Sequence, residues 1–227
     1  MNRYSYFAQP IENISTKRII LYELLLREWN ETTQKWVIPT QFDLPAATLV
    51  HLLQDAIEKL DNHHVSINLT NKQFANLDIM HAITDFVRAH MVPRQLTVEL
   101  IDNPDFDVLK RISTEYRAAG VMLAIDDVGS DNMYEDVKKL LPYVNTIKFA
   151  LQNVRAAEKK ANKSDIEALN FWFNQAEEQQ MLFTFEGIET KDDFDLATRF
   201  GITRGQGYFF SRPLEPEVFH NNVSSVI

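Results

Sequence analysis

Hydrophobic and polar positions recur with two periods along this chain. Short runs rich in β-branched and aromatic residues alternate every second position. They are Arg18 to Leu26, Val65 to Leu69, Leu96 to Leu100, Val121 to Asp126, Asn145 to Lys148 and Leu182 to Glu186. Tyr4 to Gln9 and Thr203 to Gln206 are fainter runs of the same kind. Between them the apolar residues fall at helical spacing. Leu49, Leu52, Leu53, Ile57 and Leu60 share one face, as do Val108, Leu109, Ile112 and Tyr116. Asn103-Pro104-Asp105 predicts a helix start with Asn103 as cap, and Gly120 its end. Thr190 with Asp193 predicts a capping box, with Phe194, Ala197 and Phe200 as the apolar side and Gly201 as the stop.

Strands that alternate with helices imply parallel strands joined by right-handed crossovers. Eight strand candidates point to a closed α/β barrel, a modified TIM-like (β/α)₈ fold forming a single domain over residues 1–227.

The parity of each strand sharpens that picture, because successive side chains point to opposite faces. Val65, Ile67 and Leu69 oppose Ser66 and Asn68. Leu96, Val98 and Leu100 oppose Thr97 and Glu99. Leu123 and Ile125 oppose Ala124 and Asp126; Ile147 opposes Thr146 and Lys148; Phe183 and Phe185 oppose Thr184 and Glu186. On the second run, Glu23 and Arg27 share a face. Each strand thus sends large apolar residues outward to helices. Inward it sends a small residue, then a charged or amide residue at its C-terminal end, where such barrels carry their sites. A single acidic residue there could merely open a loop or cap a helix. The same parity on five strands argues for convergence of Glu23, Asn68, Glu99, Asp126, Lys148 and Glu186.

Composition bears on what such a site can do. The 227 residues carry 23 Lys and Arg against 32 Asp and Glu, a net charge of −9. That balance disfavours sequence-independent binding to polymeric nucleic acid or to an anionic membrane. No cysteine is present, so disulfides, thiolate metal sites and cysteine nucleophiles are excluded. No apolar run has the length of a membrane span and the first ten residues lack a signal-peptide core, so a cytoplasmic protein is expected.

Converging carboxylates repel unless protonated or neutralised. An oxygen-rich set without sulfur selects hard cations, Mg²⁺ or Mn²⁺, and adjacent carboxylates such as Asp126-Asp127 can help hold two of them. A two-ion site suits in-line attack at phosphorus. Lys148 and Arg27 add positive charge for an anionic substrate.

These residues carry a family resemblance. Gln9-Pro10-Ile11 resembles the QPI opening of EAL-type cyclic-di-GMP phosphodiesterase domains, and Tyr22 to Arg27 resembles YEALLR, with Leu24 in place of the signature alanine. Ser66 to Leu69 is similar to SVNLS, Glu99 to Asp102 to ELTE, Ile125 to Ser130 to IDDFGTG, and Ile147 to Ala150 to IKID. Glu186 to Thr190 is similar to EGVET, and Gln206 to Leu214 to QGYYFSKPL. The matches follow family order over nearly the whole chain.

The resemblance implies hydrolysis of cyclic di-GMP to linear pGpG with Mg²⁺ or Mn²⁺. It implies Glu23, Asn68, Glu99 and Asp126 as metal ligands and Asp127 as a ligand of a second ion. Lys148 and Glu186 match residues that position or activate water, Glu186 as general base. Arg27 matches a phosphate contact, and Glu189, Gln206 and Asp102 match supporting residues. It also implies a homodimer through the loop after Asp127 and the helix behind it.

Several supports depart from the family pattern. The loop Val128 to Met133 lacks the family's aromatic and carries Asp131 for its second glycine. Asp102 is one methylene shorter than the family glutamate, Ala150 replaces an aspartate, and only Pro39, Phe42 and Pro45 remain of PxxFIPxAE. These departures motivate a second reading, a catalytically impaired cyclic-di-GMP receptor or protein-interaction regulator. A third is a barrel enzyme for another cyclic dinucleotide.

Other features read more plainly. His63-His64 lacks metal-ligand spacing and predicts a solvent-facing turn. Arg155 to Lys163 predicts an exposed helix or loop. Ile166, Leu169 and Phe173 predict a core-facing side of one helix.

Overall fold

A computed structural model describes residues 3–61, 63–101, 104–155 and 160–220. The elements are β1 (Tyr4–Asn13), β2 (Ile19–Asn30), β3 (Lys35–Val37), α1 (Ala46–Lys59), β4 (Val65–Leu69), α2 (Asn71–Ala75), α3 (Leu77–His90), β5 (Leu96–Leu100) and α4 (Phe106–Ala118). They continue with β6 (Met122–Ile125), α5 (Tyr134–Val137), β7 (Thr146–Ala150), α6 (Leu151–Val154), α7 (Lys163–Glu178), β8 (Leu182–Glu186), α8 (Lys191–Phe200), β9 (Arg204–Gly205) and α9 (Glu217–His220).

Eight strands close a ring in the order β1-β9-β8-β7-β6-β5-β4-β2, with β2 returning to β1. All eight candidate runs lie in it. The expectation of uniformly parallel strands is corrected at one place: β1 runs antiparallel to both β2 and β9. The cause is local. Only a tight turn, closed by Asn13 accepting from the amides of Ser15 and Thr16, separates β1 from β2, and a connection that short can only reverse the chain. β3, not anticipated, adds to the far end of β2 through Glu28 to Asn30.

The outward apolar residues of the parallel strands are fully buried, among them Ile67, Val98, Ile125, Ile147 and Phe185. Burying each such side chain is worth about 1.5–3 kcal/mol. Against them pack Leu49, Leu53 and Ile57 of α1, Ile79 and Ile83 of α3, and Leu109, Ile112 and Tyr116 of α4. Inside the ring, Ser66, Thr97, Ala124, Thr146 and Thr184 are buried, filling it with small side chains.

The helix signals were legible with small shifts. Thr190 forms its capping box with Asp193, and Gly201 ends α8 at φ 72°. Asp105, rather than Asn103, caps α4, accepting from the amides of Asp107 and Val108; Asn103 lies outside the described residues. On α7, Leu169 and Trp172 are buried while Phe173 is half-buried, so the inward face is rotated toward Trp172. Among the described residues no helix is long and apolar enough to cross a membrane.

Candidate active site

The strand ends bring one lysine into a ring of carboxylates. Lys148 on β7 is 1% exposed. Its Nζ lies 2.5 Å from Glu99 Oε2 on β5, 2.7 Å from Glu186 Oε1 at the end of β8, 3.3 Å from Asp126 Oδ2 after β6, and 3.7 Å from Glu23 Oε2 on β2. Five strands therefore meet at one atom, in the place the alternation of the strands indicates.

Three carboxylates, Glu23, Asp126 and Asp127, are also held from behind. Asn68 Nδ2 donates to Glu23 Oε1 at 2.7 Å, and Gln206 Nε2 donates to Glu23 Oε2 at 2.7 Å and to Gln9 Oε1 at 3.2 Å. Asp126 Oδ1 accepts from the Asp127 amide at 2.9 Å. Asn132 Nδ2 donates to the Asp126 carbonyl at 2.6 Å. Asn153 Nδ2 donates to Asp127 Oδ1 at 2.7 Å.

The protonation pattern follows from one cation serving many anions. Burial raises the Glu23 carboxyl, but Lys148, Asn68 and Gln206 outweigh it and hold the group below its ordinary value. Glu99 is pushed up to about 8, by burial first and then by Glu23 and Asp126, which Lys148 only partly offsets. Asp127 rises to about 7, by burial and then the charge of Asp126. Burial likewise drives Asp126 up and Glu186 well up. Lys148 stays charged, because the surrounding carboxylates overcome its desolvation. The site is electrostatically short of positive charge.

Two overlapping sets of oxygens could take such charge. One oxygen each from Glu23, Glu99 and Asp126 lie within 4.8 Å of one another, as do one each from Asp126, Asp127 and Glu186. Asp126 belongs to both. The second set faces a cavity of about 310 Å³ bordered by Gln152, Asn153, Glu189 and Tyr208. A second cavity of about 310 Å³ lies across Glu23, bordered by Arg27, Asn68, Phe42 and Ile38.

The other candidate residues fall around this centre. Arg27 donates to the Leu26 carbonyl at 2.9 Å and its guanidinium sits 5.8 Å from the Phe7 ring, so it lines the second cavity without entering the lysine cluster. Glu189 lines the first cavity and pairs with Arg155 at 3.0 Å. Asp102 lies outside the described residues, as does part of the Arg155 to Lys163 stretch. Within that stretch the Arg155 side chain is buried, not exposed, because it also pairs with Asp193 at 2.8 Å.

Asn132, Asn153 and Gln152 were missed. An amide in a loop, as Asn132 is, or in a single helical turn, as Gln152 and Asn153 are, carries no periodic signal; only their position after strands β6 and β7 could have singled them out.

Comparison with known proteins agrees with this geometry. A model of the EAL domain family matches residues 2–213. The chain is 26% identical over 235 residues to the "Probable cyclic di-GMP phosphodiesterase PdeB" of Escherichia coli K12, covering 93% of this chain and 43% of that protein. The chain thus spans less than half the length of such curated relatives. Among solved structures, an EAL domain protein from Listeria monocytogenes EGD-e superposes with a TM-score of 0.79 at 22% identity, covering 98% of this chain and 93% of that one. The FimX EAL domain of Pseudomonas aeruginosa, bound to c-di-GMP, superposes with a TM-score of 0.74 at 20% identity, covering 93% and 91%. These likenesses show the barrel fold.

Proposed function

The chain belongs to the EAL domain family, and from that premise we propose that it is a metal-dependent phosphodiesterase that opens cyclic di-GMP to linear pGpG. The observation that carries this reading is the pair of overlapping carboxylate sets sharing Asp126, beside a single buried lysine. A purely structural cluster would place more cations against so many buried acids. The donors fit Mg²⁺ or Mn²⁺: they are all oxygen, they lack sulfur, and the raised Glu99 and Asp127 carboxyls mark charge that Lys148 alone does not neutralise.

Glu23, Asn68, Glu99 and Asp126 would hold one ion, and Asp127 with Asp126 a second. Bound there, such ions supply Lewis-acid stabilisation of charge on phosphate oxygens and make water a stronger acid. The protein supplies the rest. Glu186 takes the proton from the water as its oxygen bonds to phosphorus, and the P–O3′ bond breaks, O3′ taking up a proton from solvent to leave as the 3′-hydroxyl. Lys148, 2.7 Å from Glu186, orients that carboxylate and adds fixed positive charge. Arg27, in the adjoining cavity, contacts a phosphate of the anionic substrate. Gln206 and Asn68 keep Glu23 oriented, and Glu189 borders the nucleotide cavity. Homodimerisation through the divergent loop, where Met133 is exposed, belongs to the same proposal and is checked by sedimentation.

The deciding experiment incubates purified protein with Mn²⁺ and cyclic di-GMP and separates the products. Formation of pGpG, abolished by chelator, is expected. Tight nucleotide binding without any pGpG would instead identify a receptor and end the enzyme reading.

A further inference from the structure

The second set of carboxylates comes from the loop that follows β6 and from the last residue of β8, just before the loop that leaves it; these two strands do not touch. β7 lies between them, and α6 follows it without a linker. This single turn of helix meets both loops. On one side Asn153 donates to Asp127 Oδ1 at 2.7 Å. On the other, α6 presses on Gly187, the residue after Glu186. A Cβ on Gly187 would sit 2.8 Å from the Gln152 backbone nitrogen and 1.8 Å from its Oε1.

The turn is fixed at both ends. Its first residue continues β7, and Arg155 at its close is clamped by Asp193 at 2.8 Å and Glu189 at 3.0 Å.

Asp127 needs such support. Its backbone has φ 51°, an uncommon conformation for a residue with a side chain. Ala150, which stands where the resemblance places an aspartate, is buried and its side chain is apolar. The Asn153 carboxamide offers a donor without adding charge to a site already crowded with anions.

We infer that Asn153 is a positioning residue that fixes the carboxylate of Asp127 for the second divalent cation. The inference rests on the proposed two-ion site. It assigns the second ion's affinity to a side chain that acts through Asp127 from the border of the first cavity. Partners that orient metal ligands from behind typically change metal affinity by about 10–100-fold when removed.

The test is Mn²⁺ titration of the full chain without nucleotide, read by calorimetry and by electron paramagnetic resonance. The native protein is expected to bind two ions. Asn153→Ala weakens one of them by about 10–100-fold and leaves the other unchanged. Asn153→Leu, which keeps the volume and loses the donor, behaves as Asn153→Ala does. Asn153 is exposed, so both variants melt as the native protein does without ions. The inference is overturned if either variant binds both ions normally, if both sites weaken together, or if the native protein binds fewer than two. Two-site binding that depends on Asn153 in a protein yielding no pGpG would sink the phosphodiesterase reading and leave this one standing.

Discussion

Replacing Lys148 by methionine tests the electrostatics of the site before any chemistry. The substitution keeps most of the side chain's volume and removes the cation that lies within 3.7 Å of four carboxylates. Removing one partner of a buried ion pair costs about 3–5 kcal/mol, because the other is left uncompensated. For a chain of this size 1 kcal/mol moves the melting temperature by about 2–4 °C, so a fall of roughly 6–20 °C is expected at pH 8 in chelator.

The sign with pH follows from the raised acids. A carboxyl whose folded-state pKa exceeds its unfolded value binds more protons folded than unfolded between the two, so stability falls as pH rises through that window. In the native protein the window runs from the ordinary carboxylate range to about 7 for Asp127 and about 8 for Glu99. Without Lys148 these acids rise further. Lowering the pH from 8 to 5 therefore narrows the gap between variant and native protein, and saturating Mn²⁺ at pH 8 narrows it as well. Scanning calorimetry across pH, with and without Mn²⁺, reads all of this. A variant that melts with the native protein at pH 8 in chelator would refute the reasoning. So would a deficit that neither acid nor Mn²⁺ reduces.

The remaining predictions concern single atoms. Glu186→Gln should bind cyclic di-GMP by calorimetry yet turn it over about 10²–10⁴-fold more slowly, and near-native turnover removes Glu186 as base. The buried Tyr116 hydroxyl has no hydrogen-bond partner among the described residues, so Tyr116→Phe should raise stability by about 1 kcal/mol in urea unfolding; a loss of that size would show that the hydroxyl is satisfied. At Gly207 a Cβ would lie 2.1 Å from the Ile188 carbonyl oxygen at φ 157°, so Gly207→Ala should cost about 3 kcal/mol or more and loosen the adjoining Gln206; an unchanged urea midpoint would contradict this.

The parts of the site that repeat were legible in the sequence. Asn68, Glu99, Lys148 and Glu186 sit on strands whose neighbours alternate strictly, and alternation fixes which side faces the axis. What lay in single connections was not. The reversal of β1 depends on a turn of a few residues, and β3 is a three-residue strand below any periodic signal. Asn153 reaches Asp127 across 26 positions through a helical turn of four residues, which carries neither a cap signal nor a usable apolar face. The placement of Trp172 inward was hidden for a related reason. In a run of three aromatics every rotation of the helix buries one, and the neighbouring packing decides which.

The antiparallel first strand has a consequence for the order of assembly. β1 is held by β2 on one side and by β9 on the other, and Ala8 also bridges Leu214. The β1–β2 hairpin can form as soon as its own residues are made, but the second seam waits for residues some two hundred positions later. Glu23 waits with it, since Gln206 and Gln9 meet only across that seam. Contacts this distant in sequence form late and slowly. Until then Glu23 lacks the amide from Gln206, and its ring of strands stands open. Closure of the barrel and maturation of the acidic centre are therefore one event, and a ribosome-bound chain that has not emerged past Gln206 is expected to lack the completed centre.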